Sequence, residues 1–257
     1  MPSLDRRILL PMLSVMLGCC TMVTACAKET RLMSTTDAPP VRAADVFTEP
    51  AVAALADAIA RGNLDEVRRL APATDLSARG DKRITLLQWA LMQRQPEAMR
   101  ILIDAGADVA QAGLDGDTVL HTAAMANDPA YLHLLLAAGA QPDVANADTG
   151  ATPLRNALMG ERTEQFHALL AAGADPDRPD RTGNTPLHVA AQVNEPALAL
   201  ELLQAGADPQ ARNAQGATFQ RYLFMTRSAL LSADARRQRE AVEAWLTAHR
   251  IPLETAR

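Results

Sequence analysis

Cysteine and aromatic residues are scarce in this chain of 257 residues, and their scarcity excludes several classes of protein. The only cysteines are Cys19, Cys20 and Cys26, so the rest of the chain holds neither a disulfide framework nor a cysteine zinc site. Aromatic residues make up 3% of the chain, which requires a core packed from aliphatic side chains. A net charge of −5 argues against a nucleic-acid partner, because such proteins carry a basic surface.

Motifs for catalysis and cofactor binding are also missing. The sequence holds no glycine-rich phosphate loop and no Gly-x-Ser-x-Gly motif, and its five histidines lack zinc-ligand spacing. We therefore predict that the chain is not an enzyme and takes no cofactor, no metal and no small-molecule substrate. The alternative is an enzyme whose site these motifs do not reveal.

An internal repeat is the main feature that is present. A Gly-Ala-Asp or Gly-Ala-Gln block recurs at intervals of 33, 34 and 33 residues, beginning at Gly106, Gly139, Gly173 and Gly206. A threonine recurs in step with it, at Thr85, Thr118, Thr152, Thr185 and Thr218. Two markers locked to one period define a stacked-repeat architecture. The longer interval lies in the turn before Thr152, where one inserted residue should project outward without disturbing the stack.

The copy at 181–211 shows what each unit encodes. Thr185 is a candidate N-cap, and Pro186 follows at the first helical position, where its missing N–H costs nothing. Pro196 opens a second, leucine-rich helix, and Gly206 ends it. A single helix pair cannot bury both of its faces, so the units must stack.

This unit resembles the ankyrin repeat. The family pattern is present as "GNTPLHVAA...LLQAGAD" at 183–208, "GDTVLHTAA...LLAAGAQ" at 116–141 and "GATPLRNAL...LLAAGAD" at 150–175, with a weaker copy at 84–108. The resemblance implies an all-α solenoid over residues 51–257, with four central helix pairs and a degenerate capping repeat at each end. It also implies that a protein partner binds the concave face, which the inner helices form.

The last unit, from Gln215, has the charged pattern of a cap. Its inner face is predicted to keep the apolar residues Leu223, Ala241, Val242 and Trp245. Its outer face is predicted to carry the charged residues Arg236, Arg237, Arg239, Glu240 and Glu243. A polar outer face on a terminal repeat keeps a solenoid soluble.

Candidate binding residues follow from the repeat register. Seven residues after each repeat threonine the sequence has Met92, Met125, Met159, Gln192 and Met225, which we call the stripe. Flexible methionines suit an adaptable protein-binding surface, and the alternative is that they pack between inner helices. Other candidates vary between copies at turn and groove positions: Leu114, Asp115, Asp117, Thr149, Arg181, Asn184 and Tyr222.

The N-terminus predicts export. Residues 1–26 combine a positive start, an apolar run at 8–17 and the tetrad Val-Thr-Ala-Cys, which resembles a bacterial lipobox ending at Cys26. The alternative is an ordinary secretory signal with a chance cysteine. Residues 27–50 are predicted to form a flexible tether. Ala27 in place of Asp favours outer-membrane sorting if the cell is Gram-negative, which places the chain in the periplasm.

These observations predict a lipid-anchored envelope protein that binds another protein stoichiometrically. By architectural analogy it is expected to be an immunity protein that neutralises a secreted antibacterial toxin. The alternative is a periplasmic scaffold that supports an envelope enzyme, such as an oxidative-stress enzyme.

Overall fold

The structure, a computed structural model, describes residues 42–254 and consists there of helices and turns. It contains thirteen α-helices, namely α1 (Ala43–Val46), α2 (Pro50–Ala60), α3 (Leu64–Leu70), α4 (Leu86–Met92), α5 (Pro96–Asp104), α6 (Val119–Met125), α7 (Ala130–Ala137), α8 (Pro153–Met159), α9 (Thr163–Ala171), α10 (Pro186–Gln192), α11 (Pro196–Gln204), α12 (Phe219–Leu223) and α13 (Ala233–Ala248). Within this range the β structure amounts to one isolated bridge, between Arg79 and Thr85. The prediction of an all-α chain is confirmed.

From α2 onward the helices form six pairs stacked in chain order. The first helix of each pair is the inner helix, and it packs against the inner helix of the next pair, from α2 through to α12. The second helices pack side by side from α3 to α9 and from α11 to α13. The predicted four central pairs lie between a capping pair at each end, and apolar residues buried between neighbouring pairs form a continuous core.

The repeat threonines start the inner helices as predicted. Thr85, Thr118 and Thr185 each form a capping box with the residue three positions later. Thr152 accepts the backbone N–H of Arg155 through its hydroxyl. Each such cap satisfies a backbone donor that the helix leaves free, and typically contributes about 1 kcal/mol.

The repeat glycines end the outer helices in left-handed backbone geometry. Gly139 has φ +85° and Gly173 has φ +88°, and a Cβ built at either position would meet no atom within 4 Å. The requirement for glycine there is therefore a backbone requirement, which disfavours any other residue by about 1 kcal/mol.

Five turns, which we call fingers, connect each outer helix to the next inner helix. Four of them close over five residues through one backbone bond, as between Asp180 N and Asn184 O at 3.0 Å. The third finger closes over six residues, from Asn146 N to Ala151 O at 2.8 Å. Its extra residue lengthens the finger while α6 and α8 still pack together, which confirms the predicted outward insertion.

The predicted tether extends too far along the chain. Residues 43–46 form α1, and Phe47 is 1% exposed, with its ring edge-on to that of Trp89 at a centroid distance of 5.8 Å. Residues 42–50 are therefore part of the folded stack, because Phe47 fills a space beside the first central repeat. The boundary predicted at residue 50 is wrong by about eight residues.

The predicted signal peptide, its lipobox at Cys26 and most of the predicted tether lie outside the described residues. Between residues 42 and 254, no helix has both the length and the hydropathy needed to cross a bilayer.

In the C-terminal cap, some residues lie on the opposite face from the one predicted. Arg239 is buried and not outward, and it donates hydrogen bonds to the Thr226 carbonyl at 2.7 Å and to the Ser228 hydroxyl. Ala241 is exposed, while Leu246 is fully buried. The buried face of α13 is therefore rotated toward residues 239, 242 and 246, which places one arginine inside the cap.

Candidate protein-binding surface

Four of the five stripe residues end inner helices, and Met225 lies two residues beyond the end of α12. Exposure is 53% for Met92, 46% for Met125, 47% for Met159 and 66% for Met225, and Gln192 is also exposed. A methionine packed wholly between helices would be closed to solvent, as Met99 is at 0%. The stripe therefore presents exposed, flexible apolar side chains at the same position of three successive repeats and, after Gln192, of the last one.

The backbone beneath the centre of the stripe is fixed from the next repeat. The guanidinium of Arg162 donates to the carbonyl of Met125 at 3.1 Å, and the amide of Gln165 donates to the carbonyl of Ala126 at 2.7 Å. These two bonds satisfy carbonyls that the end of α6 would otherwise leave free. A partner that binds at Met125 would therefore meet a preorganised backbone, with freedom only in the side chain.

Asp117, one of the predicted binding residues, is committed to an internal network. Its carboxylate accepts from the amide nitrogens of Asn146 at 2.5 Å and Asn156 at 3.3 Å. Asn146 also donates to the carbonyl of Asp115 at 2.9 Å, which ties the second finger to the third. The role that the structure gives to Asp117 is therefore to fix finger geometry.

Asn184 and Tyr222 are held in a second network of the same kind. The side-chain oxygen of Asn184 accepts from Asn213 at 2.9 Å and, weakly, from Gln192 at 3.4 Å. The hydroxyl of Tyr222 accepts from Asn213 at 2.8 Å and donates to Gln215 at 3.0 Å. These polar groups join the fourth and fifth fingers to the last inner helix.

The remaining predicted residues lie at the fingers. Asp115 and Thr149 are exposed, and Leu114 is half-buried. Arg181 is exposed, but its guanidinium donates to the carbonyls of Ala147 at 2.7 Å and Asp148 at 2.5 Å. Exposed side chains of the stripe and the finger tips therefore make up the surface that a partner can reach, while Arg181 also clamps two fingers together.

His121 shows how adjacent repeats are joined. Its Nε2 lies 3.0 Å from the carbonyl of Ala151, which can only accept, so Nε2 carries the proton. Its Nδ1 then accepts from the backbone N–H of Thr118 at 3.2 Å and from the hydroxyl at 2.9 Å. Burial lowers the pKa of His121 and outweighs the opposing effects of the Ala151 carbonyl and Asp117, which keeps the ring neutral.

Leu230 is an exposed apolar residue that is not among the predicted residues. Leu230 is 77% exposed, in a turn at 228–230 within the long connection between α12 and α13. In the central repeats the corresponding connection is a short turn, such as 193–195. The unusual length of this connection is the signal in the sequence that marks it, and it places Leu230 in the same loop as Met225.

Capped helix pairs joined by fingers define a repeat solenoid of the protein-interaction class. The chain belongs to the ankyrin-repeat family, because the family model for ankyrin repeats (3 copies) matches residues 55–146 and 120–213. Over 141 residues the chain is 55% identical to Protein PhlB of Serratia liquefaciens. That match covers 55% of this chain and 62% of that protein, which is less than two thirds of its length.

Ankyrin repeats are protein-binding modules and generally not catalytic domains. In the described part of the chain, no three His, Cys, Asp or Glu side chains are grouped so that they could hold a metal ion. The repeats therefore indicate that the chain binds a protein.

Proposed function

We propose that this protein is exported, is anchored to the envelope at Cys26, and binds a protein partner along the inner-helix face. By inner-helix face we mean the stripe together with the exposed finger tips. The observation that carries the proposal is the exposure of four methionines at equivalent positions. Each of these side chains is 46–66% exposed, whereas the alanines of the inner helices are mostly buried. Burying a row of large apolar side chains against a partner supplies the main driving force for association.

The proposal fits a partner that presents an apolar segment. Met125 and Met159 end the inner helices α6 and α8, which lie in the middle of the stack. Contacts at the centre of an interface are the most fully desolvated and carry most of its free energy. These two side chains are therefore the expected energetic centre of the complex.

The test is the double substitution Met125→Glu with Met159→Glu in the full chain. We expect partner affinity to fall at least tenfold, or by more than about 1.4 kcal/mol, because each substitution replaces an apolar contact with a carboxylate that must lose its hydration on binding. The fold should survive, since both side chains are half-exposed and a carboxylate near a helix C-terminus costs on the order of 0.5 kcal/mol.

A matched control places the same charges on the other side of the same repeats. Ala137 and Ala171 are exposed in the last turns of the outer helices α7 and α9. Ala137→Glu with Ala171→Glu should leave affinity unchanged while it lowers the melting temperature about as much as the methionine pair does.

The measurement has two stages, since the partner must first be identified. The wild-type chain captures proteins from envelope extracts, and a captured protein is then purified and titrated calorimetrically against wild type and both double variants. Equal affinity for all three chains would place the binding surface elsewhere. A collapsed melting temperature in the methionine variant alone would assign the methionines to the core.

We propose neutralisation of a toxin as the role of this binding, since blocking a protein stoichiometrically requires a surface and no catalytic group. The purified partner distinguishes this role from a scaffold. An immunity protein should abolish its partner's activity at an equimolar ratio, whereas a scaffold should leave that activity intact or raise it.

A further inference from the structure

One side-chain position joins each repeat to the finger of the next. It is the third residue after the repeat threonine. Gln88 donates from Nε2 to the carbonyl of Asp117 at 3.1 Å, and His121 and His188 bond the carbonyls of Ala151 at 3.0 Å and Ala217 at 2.9 Å. We call this contact the inter-repeat bond, and it spans three of the four junctions between successive fingers.

The central repeat has Arg155 at this position and lacks the bond. Its Nε is buried without a hydrogen-bond partner among residues 42–254 and lies 3.7 Å from a carboxylate oxygen of Asp180. The carbonyl of Asn184, which is the equivalent acceptor, receives only the backbone N–H of Asp180. The guanidinium of Arg181 holds this junction instead, by bonding the preceding finger. Arg155 therefore reaches the next finger through an ion pair with Asp180 and not through the hydrogen bond that its counterparts make.

Arg155 starts from the face of α8 that carries the stripe, although its Nε reaches to Asp180 of the next finger. Arg155 and Met159 are four residues apart on one helix, so their side chains lie on the same face with Cβ atoms about 6 Å apart. The helix α8 is the third of the four inner helices that carry stripe residues. A third of the Arg155 side chain, 34%, is exposed, and its two terminal nitrogens make no hydrogen bond within the described residues.

A guanidinium in this setting is suited to a carboxylate. Its planar pair of terminal N–H groups matches two carboxylate oxygens, and it loses little solvation when it is buried in an interface. Asp180 faces only the Nε edge of this guanidinium, at 3.7 Å, and its other oxygen accepts from Thr182 and Asn184. The terminal N–H groups of Arg155 therefore have no acceptor within the described residues. Exposed carboxylates on the second and third fingers, at Asp115 and Asp148, would repel a broadly acidic partner.

We infer that Arg155 is a specificity-determining residue that binds a single carboxylate of the protein partner, in a segment whose apolar side chains contact Met125 and Met159. This inference rests on the proposed function and names the chemistry of the segment that is bound. That segment carries one Asp or Glu flanked by apolar residues.

The substitution Arg155→His separates recognition from structure. A histidine at 155 should form the inter-repeat bond to the carbonyl of Asn184, as His121 and His188 do at their junctions. We expect the melting temperature to rise by about 2 °C, the size of one added hydrogen bond in a domain of this length. If Arg155 instead stabilises the fold through Asp180, the same substitution lowers the melting temperature, which would overturn the inference.

Arg221→His is the matched control. Arg221 occupies the same position in the last repeat, where no further finger follows and Gln220 bonds the carbonyl of Pro252 instead. This variant should change neither the melting temperature nor peptide selection.

Recognition is tested with a defined probe, a library of random peptides displayed on phage and selected on the immobilised full chain. Peptides enriched on wild type should carry one acidic residue among apolar ones, and enrichment of the acidic residue should be lost on Arg155→His. The inference would be overturned if the enriched peptides lack acidic residues, if they carry lysine or arginine instead, or if the same peptides are enriched on Arg155→His.

The same selection on Met125→Glu with Met159→Glu distinguishes the two proposals. If peptides bind wild type and this variant equally, the proposed binding face is wrong. If binding needs the methionines but not an acidic residue, only the role of Arg155 is wrong. If no peptide is enriched on wild type, both proposals fail.

Discussion

Replacing His121 tests how the repeats are held together, because one buried side chain serves two repeats. His121→Ala would remove the bond to Ala151 and leave the backbone N–H of Thr118 buried without its acceptor. An unsatisfied buried donor costs about 1–3 kcal/mol, and the cavity left by the ring adds to this. We expect a loss of about 3 kcal/mol in the free energy of unfolding.

His121→Gln should cost far less, and the chain itself shows why. Gln88 occupies the equivalent position, accepts the N–H of Thr85 at 3.2 Å and donates to the carbonyl of Asp117 at 3.1 Å. A glutamine can therefore replace the bonds of the neutral imidazole to the backbone N–H and to the next finger, which leaves only the bond from the Thr118 hydroxyl unreplaced. We expect a loss below about 1 kcal/mol.

The stabilities of wild type and His121→Gln should also depend differently on pH. The pKa of His121 in the folded state lies below its ordinary value of 6.5 because burial penalises the charged ring. As pH falls through 6.5, the unfolded chain binds the proton before the native chain does. Stability is therefore complete above 6.5 and is lost as pH falls toward the lower folded pKa, with a slope of at most about 1.4 kcal/mol per pH unit.

Urea unfolding of wild type and His121→Gln between pH 8 and pH 5 would measure this difference. Every other titrating group is shared, so the difference between the two curves isolates His121. Wild type should lose more stability than the variant on acidification. Parallel curves, or a glutamine variant as unstable as His121→Ala, would refute the assignment of a neutral ring that joins two repeats.

Two further predictions concern the N-terminal part of the chain. Phe47→Ala should lower the free energy of unfolding by about 3 kcal/mol, because the ring is buried against Trp89, whereas an unchanged urea midpoint would return residues 42–50 to a tether. Cys26→Ser should abolish incorporation of a radiolabelled acyl chain and release the protein from membranes, and a variant that is still labelled and membrane-bound would disprove the lipid anchor.

The architecture could be predicted from the sequence because its signals are local and repeated. Thr185 and Pro186 mark a helix start within one turn of chain, and Gly173 marks a helix end by its left-handed φ. The same marks recur at a fixed period, so the copies support one another even where a single copy is weak. The insertion before Thr152 could be placed for the same reason.

The errors fall where packing depends on distant residues. Phe47 is buried by Trp89, which lies outside any local pattern, and α1 has only four residues, too few to show a periodicity. Arg239 is inside the cap because its guanidinium bonds the carbonyl of Thr226 in the long connection. From the helical pattern an arginine is predicted to be exposed, because the pattern does not show that a buried carbonyl can accept its hydrogen bond.

The candidate binding surface could be predicted in position but not in role. Register alone placed four of the five stripe residues on the inner helices, since equivalent residues of a repeat face the same way, and it missed that α12 ends before Met225. It could not show that Asp117 and Asn184 are engaged with asparagines of neighbouring fingers, because those bonds join residues about one repeat apart. Residues that vary between copies can therefore either contact a partner or form hydrogen bonds between particular repeats.

Arg155 allows these two sources of variation to be separated. A residue that varies to join repeats is recognised by its bonds, as Gln88 and His121 are, although their chemistry differs. A residue that varies for recognition should leave the joining acceptor without a side-chain donor and its own terminal N–H groups open, and Arg155 does both. A stabilising hydrogen bond is readily gained by substitution at such a position. An arginine that lacks this bond is therefore best explained by a function that requires it. Among residues at this position of the repeat, we therefore expect the unbonded side chain, and not the most variable one, to identify where the partner binds.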